Sequence, residues 1–143
     1  MKYIVTTVLL LLSVSLFSQE NSKANFDKRE VYIEMRDGTK LFTAIYTPKD
    51  ISKDNKYPIL MERTCYSIAP YGEEKFQKHL GPNDFLQKDK YIFVYQDVRG
   101  RYMSEGVFLF FTPQVAHKTQ KDIDGSAETC DTVAWLVNNT KNN

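Results

Sequence analysis

Two short segments of this sequence hold residue types that do chemistry beside a buried strand. The first, from Gln96 to Gly100, places a carboxylate and a guanidinium two positions apart. The second, from Ser104 to Gly106, adds a hydroxyl and another carboxylate. Both follow an apolar run from Tyr91 to Tyr95. Since α/β proteins place their binding and catalytic residues in loops that follow buried strands, these segments predict a loop at the mouth of a functional site.

The charged residues of this loop could transfer protons, but a structural role is favoured. An aspartate and an arginine two apart at a strand end, here Asp97 and Arg99, commonly lock a loop through hydrogen bonds and an ion pair. Gly100 and Gly106 would supply turn conformations that are closed to other residues. We therefore predict that Asp97, Arg99 and Glu105 shape the loop and are not general acids or bases.

No residue of this chain has the sequence context of a serine nucleophile or of a metal ligand. Ser67 and Ser104 do not lie in a G-x-S-x-G motif, the strand-to-helix turn that exposes the serine of an α/β hydrolase. His79 and His117 have no second ligand at metal-binding spacing. A catalytic histidine this early would also break the Ser, Asp, His order of such enzymes. We therefore expect neither a metal nor a cofactor.

The surrounding sequence predicts the strands of an α/β fold. Apolar and polar residues alternate on both sides of Asp37-Gly38, which predicts a β-hairpin whose second strand ends at Pro48. A third strand is expected from Tyr57 to Met61. The apolar run that ends at Gln96 predicts a fourth strand covered on both faces.

Helices are expected at 73–79, at 84–87 and from about Thr119 to Asn139. Apolar residues of the long helix recur at three- and four-residue steps and should form one buried face. They are Ile123, Ala127, Cys130, Val133, Ala134 and Val137. With the strands, this order predicts an α/β fold in which an antiparallel hairpin opens a mostly parallel sheet.

The N-terminal residues predict export. Lys2 precedes an apolar run, Val8 to Phe17, which is too short to span a bilayer and is followed by polar residues. We therefore expect a secretory signal peptide at 1–18, a linker at 19–28 and a domain at 29–143, with the protein secreted or periplasmic. An uncleaved membrane anchor fits the length and the flanking residues less well.

The charge balance of the chain excludes some classes of binding partner. Without Lys2, the 19 basic residues fall to 18 and equal the 18 acidic ones, so nothing indicates a nucleic acid or an anionic membrane surface.

Cys65 and Cys130 could form a disulfide in an exported protein. Because sequence cannot show the short Cα separation that a disulfide needs, we favour two buried free thiols.

Four segments of the chain, in order, resemble the N-terminal part of the CocE/NonD hydrolases. That group includes cocaine esterase, glutaryl acylase and α-amino acid ester hydrolase and is related to the X-Pro dipeptidyl peptidases. The resemblance extends from about Val31 to Asn138. The segments are Met35 to Leu41, Arg63 to Tyr66, Gln96 to Tyr102 with Ser104 to Gly106, and Asp131 to Leu136.

The resemblance implies a serine hydrolase with an α/β-hydrolase core. In this family the nucleophile lies on a tight turn soon after the helix that here contains Trp135, and the Asp and His follow much later. The chain is therefore expected to be the N-terminal fragment of an exported enzyme that cleaves acyl esters, amides or X-Pro peptides through an acyl-enzyme, and to be inactive alone. The expected partner is a small ester, amide or peptide substrate.

One site residue of the family falls within this chain. The family motif Arg-x-Pro-Tyr places half of the oxyanion hole on its tyrosine hydroxyl, and the matching residue is Tyr66. The sequence departs from the motif at Cys65, where the family usually has proline. The alternative to an enzyme segment is a small secreted binding domain derived from a hydrolase and without catalysis.

Overall fold

The computed structural model describes residues 22–111, 113–116, 119 and 122–140. The expected signal peptide at 1–18 lies outside this range. Among the described residues no helix is long and apolar enough to cross a membrane. The elements are α1 (Ser22–Asn25), β1 (Phe26–Glu34), β2 (Lys40–Pro48), β3 (Ile59–Thr64), α2 (Asp84–Lys88), β4 (Ile92–Asp97) and α3 (Gly125–Asn139).

The four strands form one mixed sheet in the order β1-β2-β4-β3. β1 and β2 make the expected antiparallel hairpin, in which Glu34 lies opposite Lys40. β2 is antiparallel to β4, and β3 is parallel to β4. Among the described strands, β3 and β4 are therefore the one parallel pair. Their carboxyl ends lie side by side, which is where a site can be positioned.

Both faces of the sheet are covered, as the apolar sequence of β4 predicted. All six residues of β4 are buried. Phe93 and Tyr95 belong to the apolar cluster on one face, and Ile92 and Val94 belong to the cluster on the other. The loop after β3 contributes Ile68 to the first cluster, and Leu136 of α3 contributes to the second one.

The prediction of a linker at 19–28 is wrong for residues 22–28. Residues 22–25 form α1, and β1 begins at Phe26, which is 1% exposed and stacks edge-on against Phe93. The ammonium of Lys28 is buried, where it pairs with Glu30 and donates to the carbonyl oxygens of Pro70, Gly72 and Lys75. A lysine can be buried in this way because every donor finds an acceptor.

Two of the three expected helices are present. Asn83 caps α2 by accepting a hydrogen bond from the backbone N–H of Leu86. The helix expected at 73–79 is absent: the segment has only a turn in which Lys75 N–H donates to the Gly72 oxygen. Carbonyls at its start are acceptors for Lys28, so they are directed toward the sheet and not along a helix axis.

The buried face of α3 differs from the apolar face that the sequence suggested. Val133 is 44% exposed, Val137 is 58% exposed, and Cys130 is exposed. Two polar side chains are buried instead, Glu128 and Thr132. The helix also starts later than Thr119, since Asp124 is its N-cap and accepts from the N–H of Ala127. The reason for the rotated face lies in the arginines beneath the helix, described below.

Candidate functional site

Tyr66 lies where the two parallel strands end together. Thr64, the last residue of β3, is paired in register with Asp97, the last residue of β4. Tyr66 follows two residues later, its side chain is 77% exposed, and its N–H donates to Thr64 Oγ1 over 3.0 Å. The carboxyl end of a parallel sheet is where α/β proteins bind ligands, so this tyrosine is at the expected rim.

A small cleft of about 270 Å³ opens beside this tyrosine. Its walls include side chains from β3, β4 and the intervening loop, among them polar groups that could face a ligand. They are Glu62, Thr64, Tyr66, Ser67, Ile68, Gln77, Gly81 and Tyr95. The role of Tyr66 in an oxyanion hole stays a prediction at this point.

Asp97 locks loops, as its position predicted. Its side chain is fully buried and accepts hydrogen bonds from the N–H of Ile68 (3.2 Å), the hydroxyl of Tyr71 (3.0 Å) and the N–H of Met103 (3.4 Å). Burial raises the pKa of Asp97, while these hydrogen bonds act in the opposite direction. The donors come from the loop after β3 and from the loop after β4, so one carboxylate holds both.

Arg99 also shapes the loop, but its partner is not Asp97. Its guanidinium pairs with Asp37 (2.9 Å) in the β1–β2 turn and with Glu128 (2.5 Å) on α3, and it donates to Thr39 Oγ1. The ion pair within one loop that sequence spacing suggested is therefore replaced by ion pairs to two distant segments. Burial opposes ionisation of Asp37, but hydrogen bonds from Arg99 and Thr39 lower its pKa.

Glu105 and the two loop glycines have the structural roles expected of them. Glu105 makes two hydrogen bonds to the backbone of Lys40. Its N–H donates to the Lys40 carbonyl oxygen, and its carboxylate accepts from the Lys40 N–H. Gly100 and Gly106 have φ values of +69° and +92°. A Cβ on Gly100 would lie 2.1 Å from the backbone nitrogen of Phe108, so only glycine fits there.

The central residue that sequence analysis missed is Glu128. Its carboxylate accepts from Arg63 Nη2 over 2.7 Å and from Arg99 Nε, and its side chain is 8% exposed. Arg63 also donates to Gln96 Oε1 and to Thr129 Oγ1. Two arginines under α3 therefore draw its acidic face inward, which turns Val133 and Val137 outward. An arginine in the third strand was the available signal, because a charge there needs a nearby partner.

The four segments that carry the family resemblance meet in one polar network. No pair of them is adjacent in sequence, yet side chains join each segment to others. The contacts are Arg36–Asp131, Arg99–Asp37, Arg63–Gln96, Gln96–Thr132, and Arg101 with the Cys65 carbonyl. Most of the recognisable motif residues therefore have a structural role: they form the polar network around the ends of β3 and β4.

The serines and histidines do not form a catalytic pair among the described residues. Ser104 Oγ donates to the Asp97 carbonyl oxygen and accepts from the N–H of Phe42. Ser67 Oγ lies 2.9 Å from the Tyr71 hydroxyl and accepts from the N–H of Ala69. His79 is exposed and 3.5 Å from Asp84, and His117 is outside the described range. The described residues contain no group that could hold a metal ion.

The two cysteines are free, but they are not both buried. Cys65 is half-buried beside Tyr66, and Cys130 is exposed on α3. The prediction of two buried thiols is therefore wrong for Cys130, because the face of α3 that carries it points away from the sheet.

A second, larger groove of about 930 Å³ lies between the loop after Gly106 and the start of α3. Its apolar wall is exposed: Phe110 and Phe111 have most of their surface accessible. Its lining also includes Arg63 and Arg99, both of which pair with Glu128. The groove is therefore mostly apolar, and the charged groups Arg63, Arg99 and Glu128 in its lining are ion-paired.

The mixed sheet of the described residues is part of a fold of the α/β-hydrolase type. Residues 37–143 match the family model of the X-Pro dipeptidyl-peptidase (S15 family), and the chain belongs to that family. Cocaine esterase of Rhodococcus sp. (strain MB1 Bresler) is 31% identical over 109 residues, which are 75% of this chain and 16% of that protein. The resemblance to the CocE/NonD hydrolases is confirmed.

Two solved structures share the fold of the described residues. An aminopeptidase from the marine sediment archaeon Thaumarchaeota archaeon aligns with a TM-score of 0.69 and 35% identity. An α-amino acid ester hydrolase aligns with a TM-score of 0.68 and 35% identity. Each alignment covers 82% of this chain and 20% of the other chain. The chain thus spans about a fifth or less of the length of these relatives.

Proposed function

We propose that this chain is the opening part of an exported serine hydrolase, and that Tyr66 donates a hydrogen bond to the oxyanion of its reaction. The whole enzyme would cleave an acyl ester, an amide or an X-Pro peptide. The relatives named above, an esterase, an aminopeptidase and an ester hydrolase, support this range of substrates. The observation that carries the role of Tyr66 is its exposed side chain beside the paired ends of β3 and β4.

The chemistry of a phenol suits this role. Attack of a serine on the substrate carbonyl produces a tetrahedral intermediate whose oxygen is negatively charged, and a preorganised donor stabilises that charge. The phenol O–H of a tyrosine can donate a hydrogen bond to that oxygen. The serine, its Asp and its His would come from sequence that follows Asn143, with the backbone N–H next to the serine as the second donor.

The test is Tyr66→Phe in the full-length protein. Because one oxyanion donor is lost, kcat should fall about 10²- to 10³-fold while KM changes little. Tyr32→Phe is the matched control, since Tyr32 is an exposed tyrosine on β1 whose ring contact with Phe42 a phenylalanine can keep. An unchanged kcat for Tyr66→Phe would show that this hydroxyl has no part in the reaction.

A comparison of the isolated chain with the full-length protein separates this proposal from the alternative of a secreted binding domain, because only the full-length result differs between them. We expect no turnover of a chromogenic ester by the isolated chain and no labelling by a serine-directed fluorophosphonate. The full-length protein should show both. If the full-length protein reacted with neither reagent, the binding-domain alternative would replace the enzyme.

A further inference from the structure

The loop that carries Tyr66 is held at its start by the residues that follow β4. The N–H of Val98 donates to the carbonyl oxygen of Thr64 over 3.1 Å. Arg101 Nε donates to the carbonyl oxygen of Cys65 over 3.1 Å. These contacts fix the backbone directly before Tyr66. A proline at position 65 would restrict this backbone through its own ring, and a cysteine does not, so the external contacts carry more of the restraint here.

The same loop is held after Tyr66 by a single buried carboxylate. One oxygen of Asp97 accepts from the N–H of Ile68, and the other oxygen accepts from the Tyr71 hydroxyl. Hydrogen bonds to an ionised acceptor are shorter and stronger than neutral ones. Since the side chain of Asp97 is 0% exposed, water cannot replace either donor, and leaving one unpaired is costly.

Tyr66 itself contributes little to its own placement. Its side chain is 77% exposed, and the backbone contact of the residue is a short-range one from its N–H to Thr64 Oγ1. The position from which its side chain extends is therefore set by the backbone on either side, held by the contacts to Thr64 and Cys65 before it and to Asp97 after it.

We propose that Asp97 is the positioning residue for Tyr66: by holding Ile68 and Tyr71 it fixes the loop in the geometry from which the tyrosine hydroxyl reaches the oxyanion. This inference rests on the proposed function of Tyr66. Asp97 does not touch substrate, because it is buried beneath the loop. Asp97 also accepts from the N–H of Met103 in the loop after β4, but the contacts that bear on Tyr66 are those to Ile68 and Tyr71.

A double-mutant cycle in the full-length protein tests this dependence. Asp97→Asn keeps the shape of the side chain but replaces one acceptor oxygen with an NH₂ group. In the wild-type background it should lower kcat about ten- to a hundredfold, because a displacement of about 1 Å can have that effect. In the Tyr66→Phe background it should lower kcat less than about twofold, because the group that it positions is already absent.

The matched control is Asp124→Asn. Asp124 is also a buried aspartate that accepts backbone hydrogen bonds, but its donors are in α3 and at Val115. The Asp124→Asn variant should lower the unfolding temperature. It should change kcat by the same factor in the wild-type and Tyr66→Phe backgrounds. If the effect of Asp97→Asn on kcat depends on the Tyr66 hydroxyl and the effect of Asp124→Asn does not, Asp97 positions Tyr66 and does not act by a general loss of stability.

Each result decides between the two proposals. If Tyr66→Phe lowers kcat and Asp97→Asn acts equally in both backgrounds, the positioning role is wrong and the oxyanion role stands. If Tyr66→Phe leaves kcat unchanged, both fail. Should Asp97→Asn not fold, Tyr71→Phe takes its place. It removes one of the two donors that the loop after β3 supplies to Asp97, and it should show a smaller loss that is likewise absent without the Tyr66 hydroxyl.

Discussion

Arg36 forms a bidentate ion pair with Asp131 and so joins the β1–β2 turn to α3 across 95 residues of sequence. Its Nη2 is 2.7 Å from Asp131 Oδ1, and its Nε is 2.9 Å from Oδ2. Both residues belong to segments that resemble the CocE/NonD hydrolases. Their pairing shows that such motif residues can be recognisable for architectural reasons, since α3 is docked against the hairpin by this contact.

The Arg36–Asp131 pair should make stability depend on pH. Its hydrogen bonds and the charge of Arg36 lower the pKa of Asp131. A carboxyl group whose folded pKa is below its unfolded value of about 3.9 stabilises the protein above that value, and the contribution is lost as pH falls through the folded pKa. Asp131→Asn should therefore lower the unfolding temperature at pH 7 by roughly a few degrees, and the difference should shrink toward zero near pH 2.

Asp50→Asn is the control for this pH series. Asp50 pairs with Lys90, but both side chains are nearly half exposed, so solvent and salt screen the pair. Its substitution should leave the unfolding temperature almost unchanged at physiological ionic strength. If the difference in unfolding temperature between the wild type and Asp131→Asn stayed constant from pH 7 to pH 2, the assignment of this pH dependence to Asp131 would be wrong.

Loss of the Glu128 charge should destabilise the fold strongly. Its carboxylate is the shared acceptor of Arg63 and Arg99, and all three side chains are largely buried. Glu128→Gln leaves two guanidinium groups without their common counter-charge, which should cost about 3 kcal/mol of unfolding free energy in denaturant titration. Glu34→Gln, at an exposed glutamate at the end of β1, should change it by less than about 0.5 kcal/mol. Equal effects of the two variants would rule out a central role for Glu128.

Two glycines should respond oppositely to alanine. At Gly100 the φ of +69° disfavours a side chain, and a Cβ would collide with Phe108 backbone, so Gly100→Ala should destabilise by more than about 1 kcal/mol. At Gly125, the first residue of α3, nothing lies within 4 Å of an added Cβ. Gly125→Ala should therefore be neutral or stabilise by up to about 1 kcal/mol. Denaturant unfolding of both variants measures the contrast, and a stable Gly100→Ala protein would disprove the steric argument.

The sequence by itself determined the local elements and the family. Alternation around Asp37-Gly38 specified the hairpin, the continuous apolar run specified a strand buried on both faces, and the glycines at 100 and 106 marked turns. A loop-locking role for Asp97 was also predicted, but its donors Ile68 and Tyr71 lie 29 and 26 residues away and were not. The hairpin, the buried strand and the turns depend on residues close together in the chain.

Only the tertiary structure decided which groups meet. The apolar spacing of α3 favoured a face with Val133 and Val137, but Arg63 and Arg99 lie beneath the helix and bring Glu128 inward. The segment around Lys28, predicted as a linker, is likewise a strand that pairs with β2, and Lys28 reaches carbonyls more than forty residues away. Leaving a buried charge unpaired costs more than the small local preferences that a periodicity records, and local spacing does not identify the partner.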